Sequence, residues 1–174
     1  MKKLFLVGAL ALFGAMNAQN SALAKGKWLV EANTNFGAEH TSQTSIGFQS
    51  RDGYSRFSLG GEVGYFVANN LAIKAGLGFG SEKVDGQDAS SRFSYKLGAK
   101  YYVDSKFPFQ VDLNGASVKD ANENPLYLGL QGGYAWFVAP NVSIEPGLRY
   151  DLSLNKDYDD KGFFSGNVGF AFHF

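Results

Sequence analysis

The sequence predicts an all-β fold: an eight-stranded, antiparallel, up-and-down transmembrane β-barrel. The first observation behind this is a repeat, because an aromatic pair recurs at intervals of 36, 35 and 36 residues, with copies beginning at Tyr65, Tyr101, Trp136 and Phe172. About 36 residues accommodate one hairpin of membrane-length strands and one long loop, so four copies give eight strands. The other two observations are an alternation of apolar and polar residues along each strand and an alternation of short and long connections between strands.

Eight segments show the period of two that is typical of strands. In residues 71–81, for example, Leu71, Ile73 and Leu77 share one face, and Lys74 lies opposite with glycines. The eight predicted strands are residues 27–37, 54–67, 71–81, 92–103, 107–114, 126–138, 142–152 and 163–174. In the seventh strand Pro146 lacks a ladder donor, which predicts a bulge.

The connections alternate in length. Short turns are predicted at residues 68–70, 104–106 and 139–141, and longer polar loops at residues 38–53, 82–91, 115–125 and 153–162. Outer-membrane barrels have short periplasmic turns and long extracellular loops. We therefore expect the four long loops to face the outside of the cell.

The N-terminal segment predicts export. In residues 1–18, Lys2 and Lys3 precede an apolar run of about ten residues, which is too short to span a bilayer and is typical of a secretory signal. Cleavage after Ala18 fits the distance from this run, whereas cleavage after Ala24 fits the small-residue rule better, and both sites stay open. Residues 25–174 then form the barrel domain. The chain has no Cys, which excludes disulfides and thiol chemistry, and its formal net charge of zero does not predict nucleic-acid binding.

The polar face is predicted to point inward. A soluble barrel of the lipocalin type would instead turn its apolar face inward, but the aromatic residues cluster at strand ends, as in a membrane-interface belt formed by Tyr65, Tyr101, Trp136 and Phe172. The inward charges would be four positive and four negative, namely Glu31, Glu62, Lys74, Lys96, Lys100, Asp112, Glu145 and Arg149. In a small interior such charges should pair; adjacent-strand geometry predicts that Glu62 pairs with Lys74, and Lys100 with Asp112.

Several stretches carry a pattern of small and aromatic residues around single charges. They are residues 59–67, 70–78, 96–102 and 142–150. With them the chain resembles the OmpA-like superfamily of outer-membrane β-barrels, especially small barrels common in Bacteroidetes, without a peptidoglycan-binding domain. The resemblance implies roles in envelope integrity, adhesion or limited permeation. The last strand, with Phe170, Phe172 and Phe174, resembles the terminal signal that the barrel assembly machinery reads.

Enzymatic chemistry is weakly indicated. A lipid A-modifying enzyme would need a Ser, a His and a carboxylate at one rim, and the first long loop contains His40, Ser42, Ser45 and Asp52. A group of acidic residues in the last loop, Asp157, Asp159 and Asp160, lacks the spacing of a calcium loop. We expect no catalytic residues, no metal and no cofactor.

The sequence thus predicts a non-enzymatic protein of the Gram-negative outer membrane, with a polar lumen braced by charge pairs. Its expected partners are outer-membrane lipid and lipopolysaccharide, the barrel assembly machinery, and an extracellular ligand or host surface that contacts the loops. A narrow channel for small solutes and a lipid A-modifying enzyme remain the alternatives.

Overall fold

The computed structural model describes residues 21–36, 45–86, 88–119, 121–158 and 161–174. Within these ranges the chain forms ten strands. They are β1 (Trp28–Phe36), β2 (Gly47–Arg51), β3 (Tyr54–Ala68), β4 (Leu71–Val84), β5 (Ser90–Val103), β6 (Phe107–Val118), β7 (Leu126–Gly133), β8 (Trp136–Ala139), β9 (Val142–Ser153) and β10 (Phe163–His173). The predicted signal segment at residues 1–18 lies outside the described residues.

The strands close into an eight-stranded antiparallel barrel. Consecutive strands pair from β2 to β7, β9 pairs with β7 and β10, and β1 closes the sheet by pairing with both β10 and β3. β7 and β8 both pair with β9 and together form one barrel strand. This confirms the predicted fold class. Closure pairs the backbone groups of every barrel strand, which is the condition for a sheet to cross lipid.

The long-loop end departs from the prediction. β2 falls inside the predicted loop 38–53 and pairs with the first part of β3 as a hairpin. β4 and β5 also extend beyond their predicted bounds, since Tyr54 pairs with Val84 and Glu82 with Ser90. The polar composition of these residues suggested loop, but ladder hydrogen bonds are independent of side-chain polarity.

Pro146 does not produce the predicted bulge in β9. It stays in register with Val168 of β10, and its carbonyl accepts the Tyr134 N–H at 3.0 Å. Proline has no N–H to return to the partner strand. The ladder is therefore interrupted in the barrel strand that pairs with this part of β9, where residues 134 and 135 separate β7 from β8.

The outer surface is apolar and the interior is polar. Leu77 and Leu97 are 60% and 62% exposed on the outside, whereas Lys74 and Lys100 are 1% and 0% exposed in the lumen. This is the reverse of a soluble barrel, so the lipocalin-type alternative is wrong. Among the described residues no helix is both long and apolar enough to cross a bilayer.

Exposed aromatic residues form two girdles. The predicted belt lies near the short turns, and its members Tyr65, Tyr101, Trp136 and Phe172 are 40–54% exposed. A second group, which the repeat did not predict, lies toward the long loops and contains Phe48, Phe57, Phe79 and Phe93. Two aromatic girdles that flank an apolar band mark the two membrane interfaces of an outer-membrane barrel.

Candidate functional site in the barrel lumen

All eight charged residues assigned to the lumen are buried. Strand alternation places them inward, and none is more than 6% exposed. They come from six strands: Glu31 on β1, Glu62 on β3, Lys74 on β4, Lys96 and Lys100 on β5, Asp112 on β6, and Glu145 and Arg149 on β9. A buried charge without a partner is costly, so the geometry of their pairing decides whether the arrangement is stable.

Five of these residues form one continuous chain of ion pairs. Lys74 Nζ lies 2.8 Å from both a Glu31 and a Glu62 carboxylate oxygen, and Lys100 Nζ lies 2.7 Å from Glu31. Lys100 also pairs with Glu145. This series of ion pairs therefore crosses the barrel from β3 to β9. The predicted pair of Glu62 with Lys74 is present.

Lys96 extends this series of ion pairs toward the long-loop end. Its ammonium lies 2.6 Å from Glu62, which also accepts a hydrogen bond from the Asn33 amide at 3.2 Å. Glu62 consequently has two cationic neighbours, Lys74 and Lys96.

A second cluster is centred on Arg149. Its guanidinium donates to both carboxylate oxygens of Asp112, at 2.6 and 2.7 Å, and to both oxygens of Asp151, at 2.7 and 2.9 Å. Asn114 donates to both carboxylates at 3.0 Å. Such paired, charge-assisted bonds are the strong class of hydrogen bond and fix the guanidinium plane.

The predicted pair of Lys100 with Asp112 is wrong. Arg149 occupies Asp112, and Lys100 instead reaches Glu31 and Glu145. Adjacent-strand geometry could not find these partners, because the narrow lumen brings side chains from opposite walls together. Asp151 is also buried in the lumen, although the predicted set of eight inward charges omits it; alternation from Glu145 and Arg149 puts it on the inward face.

The short-turn end of the lumen is closed by an apolar cluster. It contains the second member of each repeated pair, namely Phe66, Tyr102, Phe137 and His173. The His173 ring lies 5.2–6.2 Å, centroid to centroid, from the other three rings. We call this group, with the fully buried Leu23 and Leu29, the plug. The first residue of each aromatic pair faces lipid and the second faces the plug, a division that the period of two implies.

The N-terminal segment is part of the plug. The Leu23 carbonyl accepts the Asn70 N–H at 2.8 Å, and the Lys25 N–H donates to the Asn69 side chain at 2.9 Å. The Gly26 N–H donates to the Phe66 carbonyl at 2.9 Å. These bonds hold residues 23–26 against the first short turn, with Leu23 directed into the barrel.

The residues of the predicted assembly signal lie where the barrel closes. Phe170, Phe172 and Phe174 are 43–59% exposed on the lipid face. The Phe174 backbone exchanges hydrogen bonds with Trp28 at 2.6 and 3.0 Å, at the seam between the last and first strands.

The candidate enzyme residues of the first long loop are only partly within the described residues. His40 and Ser42 lie outside the described residues, as do Asp159 and Asp160. At the opposite end, Ser143 contacts His173 Nε2 at 3.1 Å and donates to Glu145 at 2.7 Å. The carboxylate here accepts from the serine and does not orient the histidine, unlike a catalytic triad, and all three residues are buried.

The fold is similar to that of solved outer-membrane barrels. The outer membrane protein Ail of Yersinia pestis, in a phospholipid bilayer nanodisc, has a TM-score of 0.54 and 13% identity, over 86% of this chain and all of that one. The N-terminal β-barrel domain of Pseudomonas aeruginosa OprF has a TM-score of 0.50 and 14% identity, over 86% of this chain and 98% of that one. No protein-family model and no curated protein sequence matches the chain. The likeness shows the fold of a small outer-membrane β-barrel, and the apolar exterior with its two girdles places the protein in the outer membrane.

Proposed function

We propose that this protein is a non-enzymatic structural barrel of the outer membrane, which acts in envelope integrity and in surface interactions through its long loops. The observation that carries the proposal is the closed lumen: ion pairs link opposite walls, and the plug blocks the short-turn end. A lumen of this kind supplies rigidity, which suits a scaffold that presents loops.

The rival function, a narrow channel for small solutes, fits the lumen less well. A conducting pore needs charged groups that ions visit and leave. Here Lys74 and Lys100 are each held by two carboxylates, so their positive charges are neutralised locally. Apolar residues then fill the remaining cross-section at the plug.

Membership of the OmpA-like superfamily is part of the proposal. It is supported by the resemblance in residues 59–67, 70–78, 96–102 and 142–150 together with the barrel fold. The outward apolar band would contact outer-membrane lipid and lipopolysaccharide, and the strand that ends at Phe174 would be read by the barrel assembly machinery. The loop partner would be an extracellular ligand or a host surface.

Planar-bilayer recording tests the closed lumen. The purified barrel should give no steady conductance, whereas a variant with a reduced plug, Leu23→Gly with Phe66→Ala and Phe137→Ala, should conduct if it remains folded. Conductance of the unmodified barrel, with an ion selectivity that changes in Lys74→Met, would support the channel and contradict our proposal.

A deletion strain tests the cellular role. Loss of the protein should increase detergent sensitivity, and a version with residues 153–162 exchanged for a neutral linker should restore envelope integrity but not surface binding. Altered lipid A acylation in the deletion strain, restored only by the unmodified protein, would instead indicate an enzyme.

A further inference from the structure

We propose that the export signal is cleaved after Ala18, so that residues 22–24 remain in the mature protein, where Leu23 is part of the plug. The sequence leaves two cleavage sites open, one after Ala18 and one after Ala24. The two mature chains would differ by the six residues 19–24, and only the longer chain contains Leu23.

Residues 22 and 23 are packed into the barrel. Ala22 is 5% exposed and Leu23 is fully buried, in the same apolar cluster as Phe66. A signal peptide is removed from the mature protein, so its side chains cannot contribute to the stability of the folded barrel. Side chains that the folded barrel buries to this extent therefore belong to its mature chain.

Leu23 occupies the position of an inward ring in the hairpin repeat. Phe66, Tyr102 and Phe137 each lie five residues before the strand that follows their short turn, since β4, β6 and β9 begin at residues 71, 107 and 142. Leu23 likewise lies five residues before β1, which begins at residue 28. All four side chains are buried in the plug. The repeat spacing therefore extends into the segment before β1 and includes Leu23.

The backbone before β1 is also bonded as a short turn is. Asn70 immediately precedes β4, and its carbonyl accepts the Tyr102 N–H at 2.9 Å. Lys27 immediately precedes β1, and its carbonyl accepts the Phe66 N–H at 2.9 Å. The Leu23 carbonyl in turn accepts the Asn70 N–H at 2.8 Å. The segment before β1 thus takes the place of a further short turn at this end of the barrel.

Cleavage after Ala24 would remove part of this arrangement. The chain would begin at Lys25, the rings of the plug would lose a fully buried neighbour, and the Asn70 N–H would lose its acceptor. Asn70 has a φ of 65°, a left-handed conformation that a residue with a side chain keeps only when its surroundings support it. The contacts of the folded barrel therefore require the longer chain.

The small residues that favour cleavage after Ala24 have a different role in the folded barrel. A signal peptidase needs small residues at its cleavage site, which Ala22 and Ala24 supply. In the barrel, Ala22 packs beside Leu23 in the buried cluster. Cleavage after Ala18 also fits the distance from the apolar run, so the sequence and the packing agree on this site.

Intact-mass measurement tests the cleavage site. The precursor is expressed in Gram-negative cells, and the protein extracted from their outer membranes should begin at Gln19. Ala18→Leu should prevent cleavage at this position, because the residue before the cut must be small. Ala24→Leu is the matched control, and its mature chain should begin at Gln19 as the unmodified one does.

Hydrogen exchange tests the packing of the retained residues. Chains that begin at Gln19 and at Lys25 are refolded in detergent micelles, and the Asn70 amide should exchange about tenfold faster or more in the shorter chain, because local opening there becomes easier. A chain that begins at Ser21 keeps Leu23 and should exchange as slowly as the longer chain.

Two results would overturn the proposal. One is a mature protein that begins at Leu23 or later in the chain. The other is equal exchange at Asn70 in the chains that begin at Gln19 and at Lys25. The mass measurement uses the natural precursor, so the conclusion does not depend on a variant folding. A conducting barrel that begins at Gln19 would contradict the closed lumen and leave the cleavage site unaffected.

Discussion

In both halves of the lumen the same alternation sets the inward positions, but the residues at those positions differ between the halves. Toward the short turns, the inward positions carry long charged side chains and aromatic rings that contact one another across the barrel. Toward the long loops, β4 places glycines at the inward positions, and the described residues leave a cavity. The period of two decides which residues face inward, but side-chain length decides whether the interior is filled. Variants in the two halves should therefore differ in how much they lower the free energy of unfolding.

The largest effect is expected from Lys100→Met in the filled half. The change leaves Glu145 without a cationic partner, with hydrogen bonds from Tyr102 and Ser143 alone. A buried, uncompensated charge should lower the free energy of unfolding by about 3–5 kcal/mol. Urea unfolding in lipid vesicles measures this, and Lys100→Met/Glu145→Gln should recover a large part of the loss. If the double variant were no more stable than the single one, the ion pair would not be the cause.

A somewhat smaller cost is expected on the lipid face. Leu130 is 46% exposed on an outward position of β7, and Leu130→Arg should cost about 2–4 kcal/mol if that position lies near the bilayer midplane. Val138→Arg, at the short-turn edge, should cost about 0–1 kcal/mol. The same vesicle assay compares the two; equal costs would show that the membrane depth of β7 is assigned wrongly.

Leu23→Ala tests the plug. We expect the change to lower the free energy of unfolding by about 2 kcal/mol, the lower end of the range for a leucine truncated in a packed core. Leu23 is fully buried although it precedes the first strand. The change should also speed amide exchange at Asn70, whose N–H donates to the Leu23 carbonyl. Ser21→Ala, at an exposed neighbouring position, is the control. Unaltered stability and exchange in Leu23→Ala would mean that residues 23–26 do not seal the barrel.

Lys96→Met should have the smallest effect, about 1–2 kcal/mol, in the range of a lost hydrogen bond to a charged group. Glu62 keeps Lys74 and Asn33 as partners, so no carboxylate is left without a cation. The ratio of this cost to that of Lys100→Met measures the difference between the halves directly. If Lys96→Met lowered the free energy of unfolding as much as Lys100→Met does, the two halves of the lumen would not differ in this respect.

The repeat and the alternation are enough to predict the architecture and which residues face inward. The 36-residue repeat gave four hairpins, and alternation assigned Lys74 and Lys100 to the interior and Leu77 and Leu97 to the outside. It also found the pair of Glu62 with Lys74, because these residues lie on adjacent strands whose short turn fixes the register.

The remaining ion-pair partners become apparent in the folded barrel and not in the sequence. Lys100 contacts Glu31 and Glu145 on strands that are distant along the chain, and Leu23 enters the plug from outside any strand. Neither follows from a local period, since both depend on the curvature that closes the sheet. Closure in a barrel this narrow brings opposite walls within one side-chain length, and this distance is set by the number and stagger of the strands rather than by any single segment.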